Sequence, residues 1–508
     1  MHIGGVMVFE GPPPTLEELH EHIRGRLHLV PRYRQKLAYT ALDSGRPVWV
    51  DDPSFSVEYH VRHTALPESD WEHLQSLTAR IFSQALDRDR PLWEMWLVEG
   101  LEQNRFALIS KTHHSLIDGI AGIDLVTALV DLSPEPPPPL IASLRPWRPR
   151  PEPSTGELLT TAIRGAIRTE ARAAGAVLDA IGRPEHALAR VRDALEGVGE
   201  IVWALLNPAP PTPLNVDIGP HRRFVGLASS LDDFKLVKNT FGGTVNDVVL
   251  SVVTGALRTF LISRGVRTEG LELRALVPVS VRTAGERGEV GNRILAIRGP
   301  LPVFIADPLE RLRYVGAEMA DLKESKQALG AEVITGAQEF APPTMLAQAS
   351  RLQFSTRLFN MIVTNVPGPQ FPLYLGGRQL LQAYPVAFLP EGQALAMAIM
   401  SYSGQLNFGL LGDFDAIPDI DDIGDDIAVE LATLVALAKG AAATTLPKAR
   451  ISAANGRGNG GRASSARGGR NGGSRSRPAR NGRRTSAASS RTNGRPAEST
   501  TRSDPSAT

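Results

Sequence analysis

The chain has 508 residues, of which 42% are hydrophobic, with no cysteine and a formal charge of +1. That length suits two domains of ordinary size, and the missing cysteines exclude disulfides, thiolate nucleophiles and Cys-ligated metal centres together. No apolar run of about 18 residues is apparent, and the opening MHIGGVMVFEG lacks the basic-then-apolar pattern of a secretory signal, so neither an integral nor a secreted protein is expected.

Residues 1–133 mix strand-like and helix-like patterns. Phe106, Leu108, Ser110, Thr112 and His114 alternate with Ala107, Ile109, Lys111 and His113, which predicts a strand whose successive side chains face opposite ways. Ile120, Ile123, Val126 and Val130 then recur at helical spacing, so a helix is predicted from about Gly119 with Asp118 as its N-cap. The stretch KTHHSLIDGIAG thus reads as strand, tight turn and helix, with a histidine at the strand's end. The proline run SPEPPPPL (133–140) opens a linker region, 134–214. Within it, Leu159, Ile163 and Ile167 form one helical stripe and Arg164, Arg168 and Arg172 another, an amphipathic helix with a basic face suited to a neighbouring domain or a membrane surface. A second mixed domain is predicted over 215–446.

Residues 447–508 read as a disordered Arg/Gly/Ser-rich tail without an aromatic residue. From 451 onward, twelve arginines stand against Glu498 and Asp504, a net +10 that leaves −9 on residues 1–450. The tail reads equally as a solvated extension with no defined partner or as a binding segment, and in the second case an anionic membrane surface suits it better than RNA, because nothing in it can stack on a base.

Four readings of the paired histidines compete on residue chemistry. A metal site is disfavoured because neighbouring strand histidines diverge and no third ligand cluster at metal spacing appears, so no metal is expected. A hydrolase triad would need a GxSxG elbow, which the sequence lacks. A lone general base remains, taking a proton from a substrate hydroxyl or amine. Taken by themselves, these residues fit a purely structural role for both histidines and Asp118 better than any of the other three.

HHSLIDG (113–119) matches HHxxxDG, the signature of the CoA-dependent acyltransferase superfamily, and the chain resembles the bacterial wax ester synthase/diacylglycerol acyltransferase family within it. PLWEMWLVEGL from Pro91, TVNDVVLSVVTGALR from Thr244 and NVPGPQFPLYLGG from Asn365 are similar to further blocks of that family, as are VPRYRQKL, PLNVDIGPHRRF, GNRI and SYSGQLNFGL. Together they cover most of residues 1–445 in the family's order. Two features depart from the pattern: the chain starts at MHIGG, where relatives carry a short preceding segment, and the basic tail is an addition.

The resemblance implies an α/β fold with mixed sheets, in two chloramphenicol-acetyltransferase-like domains with a tunnel between them. It makes His114 the general base, with His113 on the opposite face. Asp118 is structural and Gly119 gives the turn room beside acyl-CoA. It offers Asn246 as an oxyanion or acceptor contact, while Asp247 has capping-box spacing to Thr244. It ties Pro91, Leu92 and Trp93 to an acyl or acceptor pocket, although a core or turn role suits them as well. The implied reaction passes an acyl group from long-chain acyl-CoA to diacylglycerol, or to a fatty alcohol, with no cofactor besides acyl-CoA as co-substrate. A cytoplasmic enzyme, peripheral at the inner membrane face or on lipid inclusions, is the matching expectation. The alternatives are a condensation-type acyltransferase with another acceptor and a non-catalytic lipid- or nucleic-acid-binding protein.

Overall fold

A short local signal starts three of the main helices. Thr15 and Glu18 form a reciprocal capping box ahead of one helix, Asp70 accepts the His73 N–H ahead of another, and Thr244 and Asp247 repeat the box ahead of a third. In a computed structural model the described residues are 1–39, 47–116, 128–135, 147–154, 156–157, 160, 207–280, 294–324 and 356–445. Asp118, Gly119, nearly all of the amphipathic stretch 156–206 and the whole basic tail lie outside them.

In chain order the elements are β1 (His2–Phe9), α1 (Leu16–Arg26), β2 (Gln35–Ala38), β3 (Val48–Asp51), α2 (Val57–His60), β4 (Val61–Ala65), α3 (Trp71–Ser83), β5 (Trp93–Leu101) and β6 (Arg105–His113). They continue with β7 (Arg222–Ser230), α4 (Leu231–Phe241), α5 (Val245–Ser263), β8 (Leu273–Ser280), β9 (Ile294–Leu301) and α6 (Pro308–Glu324). The last are β10 (Met361–Pro367), β11 (Tyr374–Leu375), β12 (Arg378–Val386), β13 (Leu395–Tyr402), β14 (Gln405–Asp413) and α7 (Ile420–Thr445).

Two mixed six-stranded sheets result, ordered β11-β12-β1-β6-β5-β4 and β7-β14-β13-β10-β8-β9, with β2 and β3 as a separate ribbon. Residues 374–386, deep in the second half of the sequence, complete the first sheet, where β12 runs antiparallel to β1 from Gly4↔Val386 to Phe9↔Leu380. The described residues fall in one compact unit. The fold is the mixed α/β arrangement that the resemblance implied.

Each sheet is covered on both faces, which is why β6 is buried without a break from Phe106 to Thr112. Phe106 and Leu108 pack with Leu19 and Ile23 of α1, whereas Ala107 and Ile109 pack with Leu74 and Phe82 of α3. Burial of side chains of this size stabilises by about 1.5–3 kcal/mol each. Helix α3 also touches the second sheet: the Trp71 indole N–H donates to Gly226 O at 3.1 Å, and the Gly226 N–H donates to Gln75 Oε1 at 2.7 Å. Helix α5 is long and apolar enough to cross a membrane by length and composition, contrary to the expectation that no such run exists. Yet 72% of its apolar window is buried, and it packs with Phe408, Ile427 and Leu434, as a core helix does.

Candidate active site

Strand β6 lies between β1 and β5, and its final turn hangs from both. The His113 N–H donates to Leu92 O at 2.9 Å on one side, and the His114 N–H donates to Met1 O at 3.0 Å on the other. Close packing of β1 depends on Gly4, because a Cβ there would fall 1.8 Å from Ser110 O. The strand stops at His113, one residue before the alternation predicts. His114 opens a short 3-10 turn, His114–Leu116, in which the Ser115 N–H donates to His113 Nδ1 at 3.2 Å and the Ser115 hydroxyl faces the same nitrogen at 2.7 Å. Those contacts bend the chain locally, which side-chain periodicity cannot register.

The two imidazoles have different neighbours. The His113 ring meets His2 edge-on at 6.1 Å between centroids, and the His114 ring meets Phe388 edge-on at 5.9 Å. Phe388 follows β12 and packs against a cluster containing Ile362, Ala396 and Ala398, on the face of the second sheet away from α5. His114 therefore stands at the seam between the sheets.

Burial keeps these imidazoles neutral, since a charged ring would be desolvated. His113 is lowered from 6.5 to about 4, and His2 to about 3. His114 is lowered too, with burial as the largest cause, although its side chain remains accessible to solvent. A solvent-accessible neutral imidazole can accept a proton at neutral pH.

Pro91, Leu92 and Trp93 are all buried. Leu92 supplies the carbonyl that holds His113, and Trp93, the first residue of β5, sits opposite Thr112 in the ladder. The Trp93 indole N–H donates to Tyr33 O at 2.8 Å, its ring stacks on His60 at 4.6 Å, and its carbonyl accepts the His60 Nδ1–H at 2.7 Å. The segment thus touches the histidine turn through its backbone and the core through its side chains.

Asn246 lies at the start of α5, where its Oδ1 accepts the Asn365 side-chain N–H at 3.3 Å. Asp247 is 3% exposed and closes the capping box, Oδ2 accepting the Thr244 N–H at 2.7 Å. Among the described residues no hydrogen bond or ring contact joins Asn246 to His114. Among the described residues one trio of side chains, Glu68, Asp70 and His73, is spaced to approach a metal ion, but it lies at the start of α3, where Asp70 is engaged as helix cap. Sequence reasoning missed Phe388, whose surroundings in the chain carry no motif. It also missed the Asn246–Asn365 pair, although both residues stand in blocks singled out by resemblance.

Two mixed six-stranded sheets flanked by helices form an architecture shared with condensation-domain and acyltransferase folds. The first condensation domain of the calcium-dependent antibiotic synthetase superposes with a TM-score of 0.50 at 18% identity, over 86% of this chain and 91% of that one, a likeness of fold. The wax ester synthase/diacylglycerol acyltransferase from Marinobacter aquaeolei VT8 superposes with a TM-score of 0.61 at 28% identity, over 86% and 95%. The Mycobacterium tuberculosis proteins named "Probable diacyglycerol O-acyltransferase tgs1" and "tgs2" are each 34% identical, over 86% of this chain and 92% of the first, and 83% and 91% for the second. The wax ester synthase/diacylglycerol acyltransferase catalytic domain matches residues 1–249 and the WS/DGAT C-terminal domain matches 290–435. This chain belongs to that family.

Proposed function

We propose that the chain transfers the acyl group of a long-chain acyl-CoA to the free hydroxyl of diacylglycerol, releasing triacylglycerol and CoA, and that long-chain alcohols serve as a second acceptor class, giving wax esters. The observation that carries the reading is His114 as a solvent-accessible neutral imidazole facing Phe388 across the seam. In this scheme His114 removes the acceptor's hydroxyl proton as its oxygen attacks the thioester carbonyl, and the resulting imidazolium returns the proton to the departing thiolate. A thioester already carries a good leaving group, so no covalent acyl-enzyme is needed. A positioned base contributes roughly 10²- to 10⁴-fold and an oxyanion donor about 10²- to 10³-fold. Asn246 is proposed for the second role: its Oδ1 is occupied by Asn365, which orients the amide and leaves Nδ2 free of that bond.

A passage between the sheets is the proposed route for both substrates, and Pro91, Leu92 and Trp93 stiffen its wall. The enzyme is proposed to work without a cofactor other than its co-substrate, at the cytoplasmic face of the membrane or on lipid inclusions, held there in part by the +10 tail.

The deciding experiment incubates purified protein with palmitoyl-CoA and either diacylglycerol, hexadecanol or ethanol, identifying products by mass and following thiol release. Triacylglycerol formation supports the reading. Folded protein that esterifies none of the three overturns it.

A further inference from the structure

Lys111 is the one fully buried lysine among the described residues, 0% exposed and three residues upstream of His114. Its Nζ donates to Glu94 Oε1 at 2.9 Å and to Ile81 O at 2.7 Å. Glu94 is its cross-strand partner on β5, and the other Glu94 oxygen faces Arg62 Nη1 at 3.5 Å. The cation therefore joins β6 and β5 to the last turn of α3, where the Ile81 carbonyl also accepts the Gln84 N–H at 3.2 Å.

That anchor matters because the chain leaving α3 leads to the histidine turn. Ser83, the last residue of α3, accepts through its Oγ the N–H of Arg222 at the start of β7 in the second sheet, at 2.9 Å. The chain then runs past Leu86, whose N–H donates to His2 Nε2 at 3.5 Å, and His2 is the ring that meets His113 edge-on. It arrives at Leu92, whose carbonyl holds the His113 N–H. Residues 81–92 thus form a collar around the base of the histidine turn. The collar is fixed at one end by Lys111, tied to the second sheet at Ser83 and closed on His113 at Leu92.

We propose that Lys111, with Glu94, is a positioning residue for the acyl transfer: it fixes the collar that orients the His113–His114 turn against the second sheet. A buried ion pair is a poor source of net stability, and well-packed apolar residues of similar volume can replace it at little or no loss. The pair's contribution here is to geometry. A lone Lys111 cation left in this interior would be strongly destabilising, and without Lys111 the buried Glu94 carboxylate would keep only the partly exposed Arg62, so either single variant mixes the two effects. The paired variant separates them. The proposal rests on the proposed function, in which His114 is the base.

The test compares the full-length wild type, Lys111→Met, Glu94→Leu and the double variant. The measurements are thermal midpoint, kcat for palmitoyl transfer to diacylglycerol, and affinity for an unreactive hexadecyl-CoA thioether. Lys111→Met and Glu94→Leu should each lower the midpoint, and the double variant should recover most of it. The recovered double variant should still lose about 10-fold or more in kcat, because a small misplacement of a catalytic group costs up to about 10²-fold, while its thioether affinity stays within about 2-fold of wild type. A double variant with wild-type stability and wild-type kcat would reduce the pair to a structural role and overturn the proposal. Equal losses of kcat and thioether affinity would also overturn it, since the defect would then lie in binding. If the double variant fails to fold, Lys111→Arg decides: retained kcat supports a requirement for the buried cation, and loss of kcat with loss of midpoint refutes a separable positioning role. Absence of any esterification by the wild type would strike the proposed function instead, and would be seen before a variant is made.

Discussion

The His114 imidazole meets the Phe388 ring edge-on, with centroids 5.9 Å apart and planes at 76°. Phe388 belongs to the second half of the sequence and rests on the second sheet, so this one contact sets the proposed base at the seam. Phe388→Ala should remove the wall without removing the base. Because Phe388 is only partly buried, the stability loss should fall below the about 3–5 kcal/mol of a fully buried Phe→Ala change. Turnover should fall about 10-fold through misplacement of the imidazole. Denaturant unfolding and steady-state kinetics check both numbers. Unchanged turnover would remove Phe388 from the site.

The paired histidines should respond unequally. His114→Ala should lose roughly 10²-fold or more in turnover while keeping its thermal midpoint and its affinity for acyl-CoA. His113→Ala gives up the contacts to Ser115 and His2 and should act mainly on stability. If His113→Ala abolished turnover in a stable protein and His114→Ala did not, the base would be reassigned.

At the start of α5, Asn246→Ala should lower kcat by about 10²- to 10³-fold, the loss seen for an oxyanion donor. Asn365→Ala, which only frees the Asn246 amide to rotate, should have a smaller effect. Asp247→Ala breaks the capping box and should cost about 0.5–2 kcal/mol of stability. Equal kinetic effects of Asn246→Ala and Asp247→Ala would argue that both act through the helix end.

Acid should act in two ways. His2, His60 and His113 are held by burial at about 3, about 4 and about 4, below the usual 6.5. The unfolded chain therefore binds more protons between pH 6.5 and 4, and stability falls as pH drops through that window. For His60, 2% exposed, the contribution is about 3 kcal/mol at one pKa unit per 1.36 kcal/mol. His60→Gln should flatten the stability profile there. Because the His114 pKa is also lowered, the acid limb of kcat/KM should have its midpoint below 6.5. A limb centred above 6.5 would contradict a desolvated base.

Deleting residues 451–508 removes a net charge of +10 from a chain of +1. Turnover in a detergent-dispersed assay should be nearly unchanged, while binding to anionic vesicles should weaken and lose much of its salt dependence, since polybasic attraction is worth about 1 kcal/mol per residue and is screened. Equal sedimentation with vesicles by both forms would take the tail out of membrane attachment.

The sequence by itself determined the local features. Alternation over Phe106–His114 located β6, Arg105–His113, to within one residue at each end, and the Thr244/Asp247 spacing announced the cap of α5, because period and capping chemistry are properties of neighbours in the chain. HHxxxDG with its companion blocks carried the family. Tertiary structure decided which distant residues share a site. The closure of β12 on β1, the arrival of Phe388 over His114, the pairing of Asn246 with Asn365 and the burial of Lys111 beneath the histidine turn are contacts over long sequence separations. No local propensity encodes such contacts. They exist because two sheets, each needing both faces covered, bury those faces on shared helices and on each other.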